Sequence, residues 1–118
     1  MMTEALKVKL DLRDKLAVIY TEGYINNQGG EEIARVAGQA MERGHKILLL
    51  NLVGTKIVNS IGISILIEII EKMLEIEGQL AFCNLTPTIE KTFHIMGLTQ
   101  YATIFADEEN AVGDLRAG

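Results

Sequence analysis

The amino-acid sequence predicts a single α/β domain with a mainly parallel sheet. Short apolar runs of strand length alternate along the chain with longer segments in which apolar residues recur at helical spacing. Because strands that alternate with helices are joined by right-handed crossovers, this pattern predicts a mixed, mainly parallel sheet formed in the order ββαβαβαβα. The domain is expected to occupy residues 1–118, with about five strands and four helices.

The first two strands are expected to form an N-terminal antiparallel hairpin. Residues 6–12 alternate apolar with charged side chains, which is typical of a strand with one face in water. Residues 16–21 are apolar and β-branched, and they return after a charged turn. The turn-rich stretch 23–30 then precedes an amphipathic helix that runs to about Arg43, where Gly44 stops it.

The rest of the chain repeats the unit of strand and helix three times. Residues 46–52 are apolar on both faces, as in a central parallel strand, and residues 61–77 form a largely buried helix. Thr86 and Pro87 have the pattern of a helix cap and first helical residue, with inward-facing residues at Ile89, Phe93 and Met96 and a stop at Gly97. The remaining predicted elements are strands at 79–85 and 103–105 and an acidic helix at 108–115.

The charge and the cysteine count limit the partners and the compartment. The chain has 11 lysines and arginines against 16 aspartates and glutamates, so its surface should repel nucleic acid and anionic membranes and favour a protein partner or a small molecule. Cys83 is the only cysteine, which leaves no intrachain disulfide and indicates a reducing compartment. Residues 1–7 lack the segments of a signal peptide, and the longest apolar stretch, 61–70, is too short to span a bilayer. We therefore expect a cytoplasmic protein without membrane insertion.

Ser60 is the leading candidate for a functional residue. It follows an apolar strand and a short polar loop, and it stands where the N-cap of the next helix is expected. A serine cap stabilises a helix by about 1 kcal/mol and needs no further function. The alternative is phosphorylation, because a phosphate would add up to about two negative charges at the helix N-terminus and change any surface docked there. Gly62, in the first turn, indicates that something approaches the backbone closely.

Catalytic and metal chemistry find little support. Ser60 lacks a Gly-x-Ser-x-Gly setting, and His45 and His94 share no ligand spacing, so we expect no enzyme, no catalytic residue and no metal site. The Gly54-Thr55-Lys56 trio lacks the earlier glycine of a phosphate loop and is interpreted as a turn.

No cofactor is expected either. Gly29 and Gly30 lack the third glycine of a dinucleotide site and, more simply, give flexibility before the first helix. Cys83 is expected to be a buried small hydrophobe, and the methionines at 41, 73 and 96 fall on expected core faces.

Several motifs together resemble the STAS domain of bacterial anti-sigma factor antagonists, over nearly the whole chain. They are Gly23-Tyr24-Ile25-Asn26, Ile47-Leu48-Leu49-Leu50-Asn51-Leu52, Val58-Asn59-Ser60-Ile61-Gly62-Ile63-Ser64-Ile65-Leu66, Cys83-Asn84-Leu85-Thr86-Pro87 and Phe93-His94-Ile95-Met96-Gly97-Leu98.

The resemblance implies regulation by partner switching. By this resemblance, the unphosphorylated protein is expected to bind an anti-sigma factor, a serine kinase of the ATPase fold, and so to free the sigma factor. Phosphate on the serine would end the complex, and a phosphatase would restore it. Ser60 matches the phosphorylated serine, and Gly62 matches the first glycine of the family motif.

The sequence departs from the family pattern around the serine. Asn59 stands in place of the aspartate before the serine, and Asn51 replaces the aspartate at the strand end. Ile61 replaces a small residue, and Ser64 replaces the second glycine. The loss of charge at position 59 removes a group that would orient the hydroxyl or help to bind the kinase's metal–nucleotide complex.

We interpret the protein as an anti-sigma factor antagonist-like regulator whose partner-binding surface surrounds Ser60. The expected contact residues are Asn59, Ser60, Ile61, Gly62 and Ser64, with Gly23, Tyr24, Asn26 and Asn27 adjoining. A second hypothesis is a constitutive STAS interaction module in a stressosome-like or transport-associated complex, in which Ser60 only caps the helix and Thr55 and Ser64 are alternative modification sites. The isoleucines expected on the surface leave homodimerisation open.

Overall fold

The predicted order ββαβαβαβα is confirmed in a computed structural model that describes residues 5–117. The expected domain limits of 1–118 include residues 1–4 and 118, which lie outside the described residues. The elements are β1 (Lys7–Arg13), β2 (Leu16–Glu22), α1 (Asn27–Glu42), β3 (Ile47–Gly54), α2 (Ser60–Glu75), β4 (Gln79–Cys83), α3 (Pro87–Ile95), a 3-10 turn (Leu98–Gln100), β5 (Thr103–Phe105) and α4 (Glu108–Ala117).

The strands lie in the sheet in the same order as in the chain, β1-β2-β3-β4-β5. β1 and β2 form the predicted antiparallel hairpin, and β2 to β5 are parallel. Each parallel crossover steps in the same direction, and because such crossovers are right-handed, they place α1, α2 and α3 on one face of the sheet. α4 follows the last strand and covers the other face. No helix within residues 5–117 is long and apolar enough to cross a bilayer.

The side chains of the sheet alternate between two cores. Ala17, Ile19, Leu48, Leu50 and Phe82 point into the larger core beneath α1, α2 and α3. Their neighbours point to a smaller core that Ala111 and Leu115 of α4 cover, and these are Leu16, Val18, Leu49, Ala81 and Cys83.

Cys83 is fully buried and free, as predicted. Burial, with the nearby carboxylates of Glu108 and Asp107, raises the pKa of its thiol to about 12. The neutral thiol therefore packs as a small hydrophobe.

α1 begins earlier than the sequence predicts, and the expected flexibility at Gly29 and Gly30 was wrong. Asn26 caps the helix, because its Oδ1 accepts a hydrogen bond from the Gly29 N–H at 2.9 Å. Both glycines are buried in the first turn. A Cβ on Gly30 would lie 2.8 Å from Cδ1 of Ile65, so glycine here lets α1 and α2 pack closely.

The prediction that Met96 faces the core was also wrong. Ile89 and Phe93 are buried as expected, but Met96 is 49% exposed. α3 ends at Ile95, and the chain then turns through Gly97, whose φ of 87° is left-handed. This turn carries Met96 outward and brings Leu98 into the core instead.

Candidate functional site

Two loops lie side by side at the edge of the sheet where the parallel strands end. They follow β2 and β3, which are parallel neighbours. The Gly23 N–H donates to the Gly54 carbonyl at 3.0 Å, and the Ile25 N–H donates to the Ile57 carbonyl at 3.0 Å. The Asn59 N–H donates in turn to the Ile25 carbonyl at 3.1 Å. These backbone hydrogen bonds hold the starts of α1 and α2 next to each other.

Asn59, and not Ser60, caps α2. Its Oδ1 accepts a hydrogen bond from the Gly62 N–H at 2.8 Å, and Ser60 is the first helical residue. The expectation that Ser60 occupies the N-cap was therefore wrong, because asparagine caps helices as well as serine does and stands one position earlier. The Ser60 side chain is exposed, and its hydroxyl forms no hydrogen bond with any residue that the structure describes.

The N-terminus of α2 favours a negative charge. The Asn59 carbonyl and side chain accept the N–H groups of Ile63 and Gly62. Within residues 5–117, no acceptor is found for the N–H groups of Ser60 and Ile61. The positive end of the helix dipole lies at these two groups. An anion attached to the Ser60 hydroxyl would therefore lie in a favourable field.

Gly62 is required by a contact within the chain. A Cβ at this position would collide with the carbonyl oxygen of Ile25 and lie 2.9 Å from Cγ2 of the same residue. The close approach expected from the sequence is thus made by the neighbouring loop, which packs against the first turn of α2.

The expected contact residues fall into two groups. Asn26, Asn59, Gly23 and Gly62 shape the two loops through caps, backbone hydrogen bonds and close packing, and Tyr24 beside them is half-buried. The residues that present exposed surface are Asn27, Ser60, Ile61 and Ser64. Ser64 lies one turn after Ser60, and its Oγ donates to the Ser60 carbonyl at 3.1 Å.

Thr55 is not available as an alternative modification site. It is fully buried, and its Oγ1 lies 2.7 Å from Oγ1 of Thr21. Gly54 ends β3, and the Thr55 N–H donates to the Leu52 carbonyl at 3.0 Å. The hydroxyl pair therefore fixes the start of the β3–α2 loop to β2.

Large apolar side chains are exposed from the end of β3, through the loop that follows, to the first turn of α2. Val53, Ile57 and Ile61 are 66%, 59% and 52% exposed. The sequence identified only Ile61, because a single valine or isoleucine in a loop belongs to no periodic pattern. The available signal was the presence of aliphatic residues among the polar residues of a loop.

Asn51, buried at the end of β3, joins this connection to α4. Its Oδ1 accepts the Val53 N–H at 3.0 Å and Nδ2 of Asn84 at 3.1 Å. Its own Nδ2 donates to Oε1 of Glu108, the first residue of α4, at 3.0 Å. One amide thus holds the tip of β3, the end of β4 and the start of α4 together.

Arg13 completes this polar cluster from β1. Its guanidinium donates to Oε2 of Glu108 at 3.1 Å, to Oδ2 of Asp11 at 2.8 Å and to the Tyr20 hydroxyl at 2.8 Å. Burial, followed by the interaction with Glu108, raises the pKa of Tyr20 to about 12. Burial alone would raise the pKa of Glu108, but interactions with Tyr20, Asn51 and Arg13 outweigh it and lower that pKa.

The lowered pKa of Glu108 predicts a loss of stability in acid. A carboxylate whose pKa is depressed by folding contributes stability above its unfolded pKa of about 4.3, and this is lost as the pH falls through the lower folded value. We expect the Glu108→Gln protein to lose less free energy of unfolding than the unmodified protein between neutral pH and about pH 3. Urea unfolding at a series of pH values measures this difference. Glu109→Gln, at an exposed neighbouring position, is the control, and equal pH slopes for all three proteins would contradict the assignment.

Neither histidine is placed to act as a base for Ser60. His45 precedes β3, and His94 lies in the last turn of α3, so both are at the edge of the sheet opposite the two loops. In the part of the chain that the structure describes, no three His, Cys, Asp or Glu side chains come together to hold a metal ion.

The sheet order, together with the serine loop (residues 55–59, which lead into Ser60), is that of a known class of protein. The STAS domain family model matches residues 7–111, and the chain belongs to the STAS domain family. Within this family it is similar to the anti-sigma factor antagonists. One relative is BtrV of Bordetella bronchiseptica, provisionally named an anti-sigma factor antagonist, which is 20% identical over 90% of this chain and 91% of its own length.

Solved structures show the same fold. An anti-sigma factor antagonist from Mycobacterium paratuberculosis matches with a TM-score of 0.83 at 18% identity, over 95% of each chain. SpoIIAA, an anti-sigma factor antagonist, matches in its unphosphorylated form with a TM-score of 0.78 at 22% identity, over 95% of this chain and 98% of that one. SpoIIAA of Bacillus in its phosphorylated form matches with a TM-score of 0.73 at 21% identity, over 92% of this chain and 99% of that one.

Proposed function

We propose that this protein binds an anti-sigma factor through the surface around Ser60 and that phosphorylation of Ser60 ends the binding. The proposal depends chiefly on one observation, that Asn59 caps α2 and leaves the Ser60 hydroxyl exposed and free of hydrogen bonds to the described residues. A kinase can reach such a hydroxyl without first opening the helix.

The electrostatics around Ser60 support a switch. The phosphoserine would carry up to about two negative charges next to the free N–H groups of α2, so the modified state would be stable. The same charges would have to lose water in any complex that covers Ser60, and burying an unpaired charge is costly. SpoIIAA, which has this fold, has been solved in both phosphorylated and unphosphorylated forms.

The apolar residues near Ser60 indicate how the unmodified protein binds. Ile57 and Ile61 expose large aliphatic side chains on either side of Asn59 and Ser60 along the chain. Their burial by a partner would contribute free energy in proportion to the apolar area covered. In this proposal the protein regulates by binding. The anti-sigma factor acts as its kinase, and a phosphatase removes the phosphate again.

Substitution of Ser60 tests the proposal. We expect Ser60→Asp to weaken binding to the anti-sigma factor at least about tenfold, which corresponds to about 1.4 kcal/mol, and Ser60→Ala to leave the affinity nearly unchanged. Isothermal titration calorimetry with the purified partner measures both. Asn110→Asp is the matched control, because it adds the same charge at an exposed position of α4, on the other face of the sheet, and it should leave the affinity unchanged. Equal affinities for the Ala and Asp variants at position 60 would refute the switch.

One observation favours a second function, a constitutive STAS interaction module without phosphorylation. Asn59 caps the helix as an aspartate would, but it presents no carboxylate to a kinase. Intact-mass measurement after incubation with host lysate and ATP separates the two functions. Phosphate at Ser60 supports the switch, whereas its absence from both the unmodified protein and an Asn59→Asp variant supports the constitutive module.

A further inference from the structure

A groove separate from the serine loop lies between the second half of α2 and the turn after α3. Its volume is about 420 Å³, and it is open along one side. Leu74, Met96 and Tyr101 are 46%, 49% and 62% exposed and line the same groove, and a contiguous exposed apolar patch of this kind marks an interaction site. The apolar residues that line it are Ile67, Ile70, Leu74, Met96, Leu98 and Tyr101.

The charge around this α2–α3 groove is acidic on its α2 side. Glu71 is the one charged residue that lines it. Glu68 and Glu75 lie three residues before and four residues after Glu71, so the three carboxylates follow one side of the helix. Lys72 lies among them in the sequence, but it does not line the groove, and in the described part of the chain it forms no salt bridge with any of the three. Like charges at this spacing destabilise a helix slightly, and a cationic partner would offset that repulsion.

The walls of the groove determine which backbone conformation can occupy it. One side is the helix α2, and the other is the turn after α3 together with the 3-10 turn, where the N–H groups of Met96, Gly97, Gln100 and Tyr101 are hydrogen-bonded within the chain. An extended peptide would find no strand edge to pair with, whereas a helix satisfies its own backbone. The α2 wall from Ile67 to Leu74 is about 10 Å long, which matches two turns of a bound helix.

We propose that the α2–α3 groove binds a basic amphipathic helix of a partner protein. The apolar face of that helix covers Leu74, Met96 and Tyr101, and its lysines or arginines lie against Glu71 and the carboxylates in line with it. This site is distinct from the serine loop, because residues 67–74 lie between about 10 and 21 Å along α2 from Ser60. The protein then has two docking surfaces, one at each end of α2.

A synthetic peptide of about 14 residues, with leucines at positions i, i+3, i+4 and i+7 and lysines elsewhere, is a suitable probe. It is titrated into the full chain and followed by amide chemical shifts. We expect saturable shifts confined to the amides around residues 67–74 and 96–101. Glu71→Lys and Met96→Ala should each weaken binding about tenfold, while Ser60→Asp should leave it unchanged.

Matched controls separate the groove from general attraction between a basic peptide and an acidic protein. Glu31→Lys makes the same charge reversal on the exposed side of α1, and Ile95→Ala removes an aliphatic side chain that is 72% exposed and does not line the groove. Both are expected to bind the peptide as the unmodified protein does. The proposal is overturned if Glu31→Lys weakens binding as much as Glu71→Lys, or if a peptide of the same composition in scrambled order binds equally well. It is also overturned if the amphipathic peptide fails to bind while a small apolar dye fills the groove.

Discussion

Replacing Asn51 by aspartate is expected to lower the free energy of unfolding at neutral pH by about 3 kcal/mol. In the unmodified protein, the Asn51 amide donates to Oε1 of Glu108 at 3.0 Å. Aspartate would put a carboxylate oxygen in place of that donor, in a position that is 4% exposed, so two carboxylates would face each other. Urea unfolding followed by circular dichroism measures the loss. Part of the stability should return near pH 5, where the pair binds a proton.

A second substitution in the same pair provides the control. In the Asn51→Asp/Glu108→Gln protein, the side-chain amide introduced at position 108 would donate to the new carboxylate. The oxygen of that amide would still accept from Arg13, which contacts Oε2 of Glu108 in the unmodified protein. We expect the double variant to recover most of the lost stability. If it is no more stable than Asn51→Asp alone, the loss does not arise from the contact with Glu108, and this explanation is wrong.

Gly62→Ala is expected to lower the free energy of unfolding by about 2 kcal/mol, even though alanine favours helices. The added Cβ would collide with the Ile25 carbonyl oxygen, so α2 would have to move away from the neighbouring loop. The same shift displaces Ser60 from the loop beside it and should weaken partner binding. Urea unfolding measures the loss of stability, and titration with the partner measures the loss of affinity, both on the same preparation.

Gly38→Ala is the matched control for this substitution. Gly38 also lies in a helix, but a Cβ there would meet no heavy atom within 4 Å. The unhindered alanine should raise the free energy of unfolding by about 0.5–1 kcal/mol. If both substitutions raised the free energy of unfolding, helix propensity and not the contact with Ile25 would determine the effect of Gly62→Ala.

The sequence predicts the fold well because each element depends on residues close to one another in the chain. Alternation in residues 6–12 and continuous apolarity in 46–52 place β1 and β3 within two residues of their observed limits. The start of α1 was placed less well, and the cap of α2 was assigned one residue too late, since asparagine, serine and glycine all suit the first turn of a helix. Only the hydrogen bonds of Asn26 and Asn59 show which residue is the cap.

The candidate site could be predicted only in part. Ser60 and Gly62 were recognised from their position and from the family resemblance. The contact between Asn51 and Glu108 joins residues 57 positions apart, and no local pattern indicates it. The buried hydroxyl of Thr55, in the loop after β3, likewise pairs with that of Thr21, which lies 34 positions earlier in β2. Contacts between side chains on different elements can be predicted only if the register of the strands is known, and the spacing of residues along the chain does not give that register.

The assignment of the cap to Asn59 also determines what a modification of Ser60 would leave untouched. The hydrogen bond from Gly62 to Asn59 and the loop contacts of Ile25 involve no atom of the Ser60 side chain. In the proposed cycle, a kinase and a phosphatase could therefore act on the same molecule many times without unfolding any part of it. The two forms would share one fold and would differ in what they bind, so the ratio between them would be set by the activities of the two enzymes.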